Sequence, residues 1–337
     1  MCKEAIEKYG NTYTSNAVGC GPFELVKWTF GQGVLLKKFE EYFDADDIFI
    51  ETITTRVIGE DTIAMLALKT GEVDVGYFEE YPVYKALTKL PGIIAMSEPS
   101  TSINWIHLNM KRKPFDDIRV RKALAYAIDR DEIATAVPIL SQYSVLPKGM
   151  FGYTDDVTKY EYNPEKAKEL LKEAGYPDGF DFELVYYTGP VKIWNSIVPI
   201  VQEQWRKIGV KVTLWAAEWA AMLDRRTVGN YDALVMQTGR FEPFQLLEPY
   251  FHSKNIPHPN NSFYDGIDEL LERAKVQIEE EKILELLIEI QKKIAEDVPV
   301  IVLGTSSQMA AWRDNIEGMS IQMQPPKMIP AWRLKKN

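Results

Sequence analysis

The stretch of residues 182–214 decides the fold class. It opens with the strand pattern Phe182-Glu183-Leu184-Val185-Tyr186 and closes with the strand pattern Val210-Lys211-Val212-Thr213-Leu214. Between them, residues from about 192 to 208 have the apolar spacing of a helix, which Gly209 ends. A strand, a helix and a second strand within about 35 residues form a βαβ unit, in which the two strands lie parallel. The pattern therefore predicts an α/β fold.

Alternating helices and strands continue on both sides of this unit. Asn163-Pro164-Glu165 predicts a helix start, with Asn at the N-cap, Pro at the first helical position and an acid in the first turn. Asp116 or Asp117 is predicted to cap an earlier helix. Further predicted elements are a helix over about 218–228, a strand over 231–236, a long helical stretch from about 267 to 296 and a strand over 299–303.

The N-terminal part of the chain is richer in strands. Strands are predicted within 22–57, including a run over 48–53, and over 73–77. Between them, a helix with Ile63, Leu66 and Ala67 on its apolar face is predicted to end at Gly71.

Composition and charge narrow the class of protein. The chain has 337 residues, 46% of them hydrophobic and 26% charged, as in ordinary globular proteins. This length predicts two lobes or domains. No run of about 18 apolar residues occurs, so no membrane-spanning segment is predicted. The net charge of −10 and the scattered basic residues argue against a nucleic-acid partner.

The first residues and the two cysteines give two further expectations. Met1-Cys2-Lys3-Glu4 has no apolar segment behind it, so neither a secretory nor a lipoprotein signal is predicted. Cys2 and Cys20 are interpreted as two separate thiols, with a disulfide between them as the alternative.

No pattern of catalytic or metal-binding residues stands out. His107, His252 and His258 lack the spacing of zinc ligands, so no metal and no cofactor is predicted. Gly19-Cys20-Gly21 precedes a strand pattern, so it is interpreted as a turn and not as a phosphate-binding loop. A carboxylate pair of the glycosidase type stays open, because the chain holds 49 acidic residues.

Aromatic residues cluster around the βαβ unit. Trp205 shares the apolar face of its helix with Ile197 and Val201, which predicts a core residue. Trp194 and Trp219 lie near the starts of helices that follow strands. In an open α/β sheet these positions surround the crevice at the carboxyl ends of the strands, where ligands bind. A binding role and a structural role are equally favoured for both tryptophans.

Several segments, in order along nearly the whole chain, match a known family. The matching segments are Val18-Gly19-Cys20-Gly21-Pro22-Phe23, Leu68-Lys69-Thr70-Gly71-Glu72-Val73-Asp74-Val75, Pro114-Phe115-Asp116-Asp117-Ile118-Arg119-Val120-Arg121-Lys122-Ala123-Leu124, and residues 127–130, 162–167, 170–171, 174–177 and 294–299. In these segments the sequence resembles the family 5 extracellular solute-binding proteins, the receptors of ABC importers for peptides, nickel and some oligosaccharides.

The resemblance implies a two-lobe periplasmic-binding-protein-like fold of class II. Lobe one is expected to comprise residues 1–103 and 306–337, and lobe two residues 104–305. Family members carry further segments before the region of Gly19, so lobe one is expected to be incomplete and the chain to be a C-terminal fragment. A non-catalytic receptor outside the cytoplasm, with ABC permease subunits as partners, is implied.

The resemblance also implies where a ligand binds. Peptide-binding relatives use a tryptophan at the Trp219 position, a basic residue at the Arg226 position, a polar residue near Lys192 and the strand-end segment over 236–241. The expected ligand-binding residues are Asn104, Trp105, Lys192, Trp194, Trp219, Arg226, Met236, Gln237, Thr238, Gly239, Arg240, Phe241 and Glu242.

The sequence leaves the ligand class open. Peptide binders place an aspartate near position 241 to hold the α-amino group, and here Phe241 is found there, with Glu242 as a substitute. Without that carboxylate an oligosaccharide is equally favoured, stacked on Trp219 and Trp194; nickel is disfavoured because no histidine lies in this region. A hydrolase on the same scaffold, and a chain that binds no ligand by itself, also stay open.

Overall fold

The computed structural model of the protein describes residues 2–188, 193–321 and 330–337. The described residues form two compact units. Unit 1 comprises residues of the ranges 2–98, 308–321 and 330–337, and unit 2 comprises residues of the range 99–307.

The first elements of the chain belong to unit 1. They are α1 (Lys3–Tyr9), β1 (Phe23–Thr29), β2 (Gly33–Lys38), β3 (Thr52–Thr54), α2 (Asp61–Thr70), β4 (Val75–Phe78) and α3 (Tyr81–Leu87). Strands β1, β2 and β3 form an antiparallel sheet in that order. Cys2 and Cys20 are both free thiols.

The strand predicted over 48–53 is wrong for most of its length. Residues 45–47 form a 3-10 turn, and only Thr52–Thr54 pair with β2. The acidic residues at 44, 46 and 47 favour the turn, and the chain joins the sheet only where it reaches the edge of β2.

Helix α2 ends at Gly71 as predicted. Gly71 has a φ of 80° and donates its N–H to the carbonyl oxygens of Ala67 and Leu68, which is the left-handed cap that glycine favours. The predicted apolar face is only partly correct, because Ala67 and Leu68 are buried whereas Ile63 and Leu66 are exposed.

The remaining elements run mostly through unit 2. Strand β5 (Ile93–Leu108) begins in unit 1 and ends in unit 2. The elements that follow are α4 (Ile118–Tyr126), α5 (Arg130–Ala136), β6 (Ile139–Leu140), α6 (Pro164–Glu173), β7 (Asp181–Tyr187), α7 (Ile193–Arg206), β8 (Lys211–Ala217), α8 (Trp219–Thr227), β9 (Ala233–Gly239), α9 (Pro243–Phe251), α10 (Asp268–Lys275), α11 (Glu280–Asp297), β10 (Val300–Arg313), β11 (Ile316–Glu317) and β12 (Lys335–Lys336).

Two of these helices begin at the residues predicted from the sequence. The Asn163 side chain accepts a hydrogen bond from the N–H of Lys166 at 2.9 Å, and Pro164 opens α6. The Asp117 carboxylate accepts from the N–H of Arg119 at 2.8 Å and caps α4. Both caps supply an acceptor for a backbone N–H that has no partner within the helix.

The sheet of unit 2 has the strand order β10-β5-β9-β7-β8, with β6 on β10. Strand β7 is parallel to both β8 and β9, whereas β5 is antiparallel to β9. The parallel pair predicted from residues 182–214 is therefore confirmed. The carboxyl ends of β7, β8 and β9 lie at one edge of the sheet, as parallel strands require.

Helices cover both faces of this sheet. One face packs against α4, α5, α6 and α7, and Trp205 lies in that core as predicted, fully buried and donating its Nε1–H to the Leu124 carbonyl at 3.0 Å. The opposite face packs against α8, α9, α10 and α11. Alternate residues of β5 serve the two cores, since Trp105 belongs to the second core and Ile106 to the first.

The long helix predicted over 267–296 is wrong. Residues 276–279 separate α10 from α11, and Ile278 is exposed. Leu271 of α10 and Leu287 of α11 both reach the same core, which a turn between two helices allows. Within the described ranges, no helix has both the length and the apolar character needed to cross a lipid bilayer.

Candidate functional site

A cavity of about 440 Å³ lies in unit 2 at the carboxyl ends of β7 and β9. The first turn of α8 lies beside it, because α8 begins directly after β8. The described residues that line the cavity are Tyr187, Trp194, Trp219, Met222, Arg226, Val235, Met236, Gln237, Thr238, Gly239, Arg240, Pro249, Tyr250, His258 and Pro259.

Aromatic side chains form much of the cavity wall. Trp219 is 46% exposed at the first position of α8, and its ring meets that of Tyr187 edge to face with centroids 5.6 Å apart. Trp194, in the first turn of α7, is buried and contributes to the wall from the other side of the strand ends. Aromatic faces of this kind provide a large apolar contact area for a ligand.

Arg226 is a buried cation in the last turn of α8. Its side chain is 2% exposed, and its Nε–H donates to the Asn261 side-chain oxygen at 3.2 Å. Its Nη1 has no hydrogen-bond partner among the described residues. Burial lowers the pKa of Arg226 below the ordinary value of an arginine, although the guanidinium stays charged at neutral pH. The carbonyl end of α8 favours a cation at this position.

Arg240 is a second, half-buried cation of the cavity wall. Its Nη1 donates to the carbonyl oxygen of Gly239 at 2.7 Å, and its Nη2 donates to the hydroxyl of Tyr250 at 3.4 Å. The described part of the chain provides no carboxylate within ion-pair distance of Arg240. Both of its contacts therefore leave its positive charge without a counter-charge.

Two further polar groups on the wall lack partners. Thr238 Oγ1 and His258 Nδ1 are buried and make no hydrogen bond to described atoms. Burial, and secondly the charge of Arg226, lowers the pKa of His258, so the imidazole is neutral at pH 7. Unpartnered buried polar groups are uncommon in native proteins, and a ligand that enters the cavity can supply the missing partners.

A buried amide network lies next to the cavity. Gln237 donates to the hydroxyl of Ser306 at 2.7 Å and to the side-chain oxygen of Asn104 at 3.3 Å. Asn104 in turn donates to Ser306 at 2.8 Å and to the Gly304 carbonyl at 3.1 Å. The network fixes the orientation of Gln237, whose side chain lines the cavity.

Most of the residues predicted to bind ligand converge on this cavity, and some do not. Those that line it are Trp194, Trp219, Arg226, Met236, Gln237, Thr238, Gly239 and Arg240. Asn104 contacts it only through Gln237, and Trp105 is buried in the second core against Tyr250 and Phe251. Phe241 and Glu242 are exposed and do not line the cavity. Lys192 lies outside the described residues.

Several wall residues are not predicted from the sequence. Tyr250 comes from α9, and His258 comes from the segment after it, far along the chain from α8. No spacing pattern links these positions to Trp219, so only the fold brings them together. No group of three or more His, Cys, Asp or Glu side chains that could hold a metal ion occurs in the described ranges.

Solved structures share this architecture. The ABC transporter-associated periplasmic binding protein DppA from Helicobacter pylori, in complex with peptide STSA, matches with a TM-score of 0.77 and 25% identity over 100% of this chain and 67% of that chain. The mixed α/β architecture is thus that of the periplasmic binding proteins.

The family follows from the sequence comparison. The profile of the bacterial extracellular solute-binding proteins, family 5 (middle region), matches residues 3–258, and the chain belongs to this family. The dipeptide-binding protein of Escherichia coli K12 is 27% identical over 316 residues, which are 90% of this chain and 58% of that protein. The glutathione-binding protein GsiB of Salmonella typhimurium is 30% identical over 332 residues, which are 94% of this chain and 64% of that protein. The chain thus spans less than two thirds of both relatives.

Proposed function

We propose that this chain is the ligand-binding part of an ABC importer receptor and that its unit 2 cavity holds part of an oligopeptide. The observation that carries the proposal is the cavity itself, where half-exposed Trp219 and unpartnered polar groups face the same space at the strand ends. Its volume of about 440 Å³ lies in the range of small-molecule sites and suits a few amino-acid residues.

Capture, and not catalysis, is the proposed mechanism. The relatives are named as binding proteins, and their family is described as extracellular. By analogy with the family, lobe one (1–103 and 306–337) and lobe two (104–305) close on the solute, which permease subunits then receive outside the cytoplasm. Aromatic walls supply apolar contact and the polar groups supply orientation.

A peptide is favoured over an oligosaccharide as the ligand. The relatives named above bind a dipeptide, glutathione or a short peptide according to their names, and none of the three is named for a sugar. Aromatic stacking on Trp219 is compatible with either class, and the names of the relatives support the choice of a peptide.

Thermal unfolding of the 337-residue chain with pooled ligands tests the proposal. Ligand at 100 times its dissociation constant stabilises the folded state by about 2.7 kcal/mol, which raises Tm by a few degrees. A shift with pooled di- to tetrapeptides and none with pooled oligosaccharides supports the proposal. A shift with oligosaccharides alone, or with neither pool, overturns it.

A further inference from the structure

The wall of the unit 2 cavity carries positive charge without compensation. Its described residues include Arg226 and Arg240 and no aspartate or glutamate. Neither arginine forms an ion pair with any residue of the described ranges. The hydrogen bonds that they do make go to the side-chain oxygen of Asn261, the carbonyl of Gly239 and the hydroxyl of Tyr250, which are all neutral.

Three carboxylates on the neighbouring elements are engaged elsewhere, and three others (Glu218, Asp224 and Glu242) are exposed and outside the cavity wall. Glu183 on β7 pairs with Arg225, and Glu248 on α9 pairs with Lys254 and Lys275. Asp232, just before β9, pairs with Arg112 at 2.9 Å. None of these carboxylates pairs with Arg226 or Arg240, and charges in solvent are largely screened, so the two arginines have no counter-charge within the wall.

A buried cation without a counter-charge destabilises the folded protein. Removing a guanidinium from water carries a large desolvation penalty unless a carboxylate and hydrogen bonds replace the lost hydration. Arg226 has lost its solvent and keeps an unpartnered Nη1. The cation–π contact of Arg226 with Trp219 offsets only part of the desolvation penalty, since it is weaker than the hydration that it replaces.

We propose that the solute held in this cavity is anionic, and that a carboxylate of the solute supplies the counter-charge for Arg226 and Arg240. The inference rests on the proposed function and specifies the ligand class of the same site. The half-buried Arg240 offers its guanidinium to the carboxylate directly, and Arg226, a wall residue that is almost fully buried, supplies a second positive charge. An arginine fork matches the two oxygens of a carboxylate.

The charged residues of the wall also predict that the cavity does not recognise a free α-ammonium group. A free α-ammonium group would need a carboxylate partner, and none of the described wall residues provides one, because Glu242 is exposed and outside the wall. A blocked amino end is therefore expected to bind as well as a free one.

Tetrapeptide pools that lack Asp and Glu test the proposal in three forms: with both ends free, amidated at the carboxyl end, and acetylated at the amino end. We expect amidation to raise the concentration needed for a given shift in Tm by about 10- to 100-fold, since hydrogen bonds to charged groups are lost. We expect acetylation of the amino end to leave this concentration unchanged. An amidated pool that contains Glu shows whether a side-chain carboxylate can take the place of the terminal one.

Variants assign the effect to the two arginines. Arg226→Gln and Arg240→Gln each weaken binding of the free-acid pool about 10-fold or more and reduce its preference over the amide. Arg240→Lys retains part of the preference, because it keeps the charge and loses the fork. Arg225→Gln is the matched control: Arg225 pairs with Glu183 and does not line the cavity, so the preference stays.

The outcomes separate this inference from the proposed function. Equal binding of free-acid and amidated peptides overturns the inference and leaves the peptide-binding function standing. A preference for free acids that persists in both Arg→Gln variants also overturns it. A shift with succinate and none with any peptide supports the anionic cavity and overturns the peptide function, whereas no shift with either probe overturns both.

Discussion

The guanidinium of Arg226 lies over the indole ring of Trp219, with 5.6 Å between the guanidinium carbon and the ring centroid. The two residues occupy the first and last turns of α8, and their spacing of about two helical turns places them on one face of the helix. Trp219 is half exposed at the cavity, while Arg226 is buried beneath it. One face of α8 thus carries both the aromatic surface of Trp219 and the positive charge of Arg226 beneath it.

Trp219→Ala tests the aromatic part of this arrangement. Because stacking and the cation–π contact are lost together, we expect peptide affinity to fall roughly 5- to 30-fold. The free energy of unfolding should change by less than about 1 kcal/mol, since much of the ring already faces solvent. Isothermal titration with the peptide that gives the largest Tm shift measures the first effect, and urea denaturation measures the second.

Trp28→Ala provides a matched control for this variant. Trp28 lies on β1 of unit 1, is 38% exposed and is outside the wall of the cavity. Its truncation should leave peptide affinity unchanged. If both tryptophan variants lost affinity equally, Trp219 would have no specific part in binding.

Arg226→Met tests whether the buried cation is kept for function or for stability. Met fills similar space, and the substitution removes a buried charge that has no carboxylate partner, although it also removes the hydrogen bond to Asn261. We expect the unliganded protein to gain about 1–3 kcal/mol in free energy of unfolding and to lose its response to free-acid peptides. A loss of stability in urea denaturation would instead identify Arg226 as a structural residue.

The sequence predicted the elements whose signals are local. The helix start at Asn163, the end of α2 at Gly71 and the parallel pair β7–β8 follow from spacing within a few tens of residues, and all are present. The sequence does not predict the break between α10 and α11, because apolar periodicity continues across residues 276–279 although the helical backbone is interrupted there.

The cavity could be located only in part for the same reason. The sequence pattern predicts where β8 and β9 end, and Trp219 and Arg240 lie just after these strand ends. Tyr250 and His258 reach the cavity through α9 and the segment after it, which no short-range pattern predicts. Whether a carboxylate compensates the charge of Arg226 depends on which residues lie near it in space. The lack of such a carboxylate therefore cannot be predicted from the sequence.

His107 makes the stability of unit 2 depend on pH. It is fully buried, and burial, with a smaller effect of the Arg226 charge, lowers the pKa of His107 to about 3 from the ordinary value of 6.5. Since the unfolded chain binds the proton more tightly, the contribution of His107 is complete above pH 6.5 and is lost as pH falls toward 3. At pH 5 the loss is about 2 kcal/mol.

His107→Gln isolates this effect. Gln can still hydrogen-bond to Ser262, whose hydroxyl lies 2.9 Å from Nδ1 of His107, but it does not titrate. Urea denaturation at pH 7.5 and pH 5 should show a stability difference smaller by about 2 kcal/mol in the variant than in the parent protein. An identical pH dependence in the two proteins would mean that His107 is not the titrating group.

Gln291 connects a loop to α11 by hydrogen bonds. Gln291→Leu tests how much these bonds contribute to the free energy of unfolding. Its side-chain oxygen accepts from the hydroxyl of Ser144 at 2.5 Å and from the half-buried N–H of Thr154 at 3.3 Å, and its amide donates to the buried carbonyls of Gly152 at 2.7 Å and Leu287 at 2.8 Å. Leu has a similar volume and leaves the Ser144 hydroxyl and the Gly152 carbonyl without partners. We expect a loss of about 2–4 kcal/mol in free energy of unfolding with an unchanged urea m-value, because two buried polar groups become unsatisfied.

Gln277→Leu, on the half-buried connection between α10 and α11, is the control and should change stability by less than about 0.5 kcal/mol. Equal effects of the two substitutions would show that the network around Gln291 contributes nothing beyond side-chain burial.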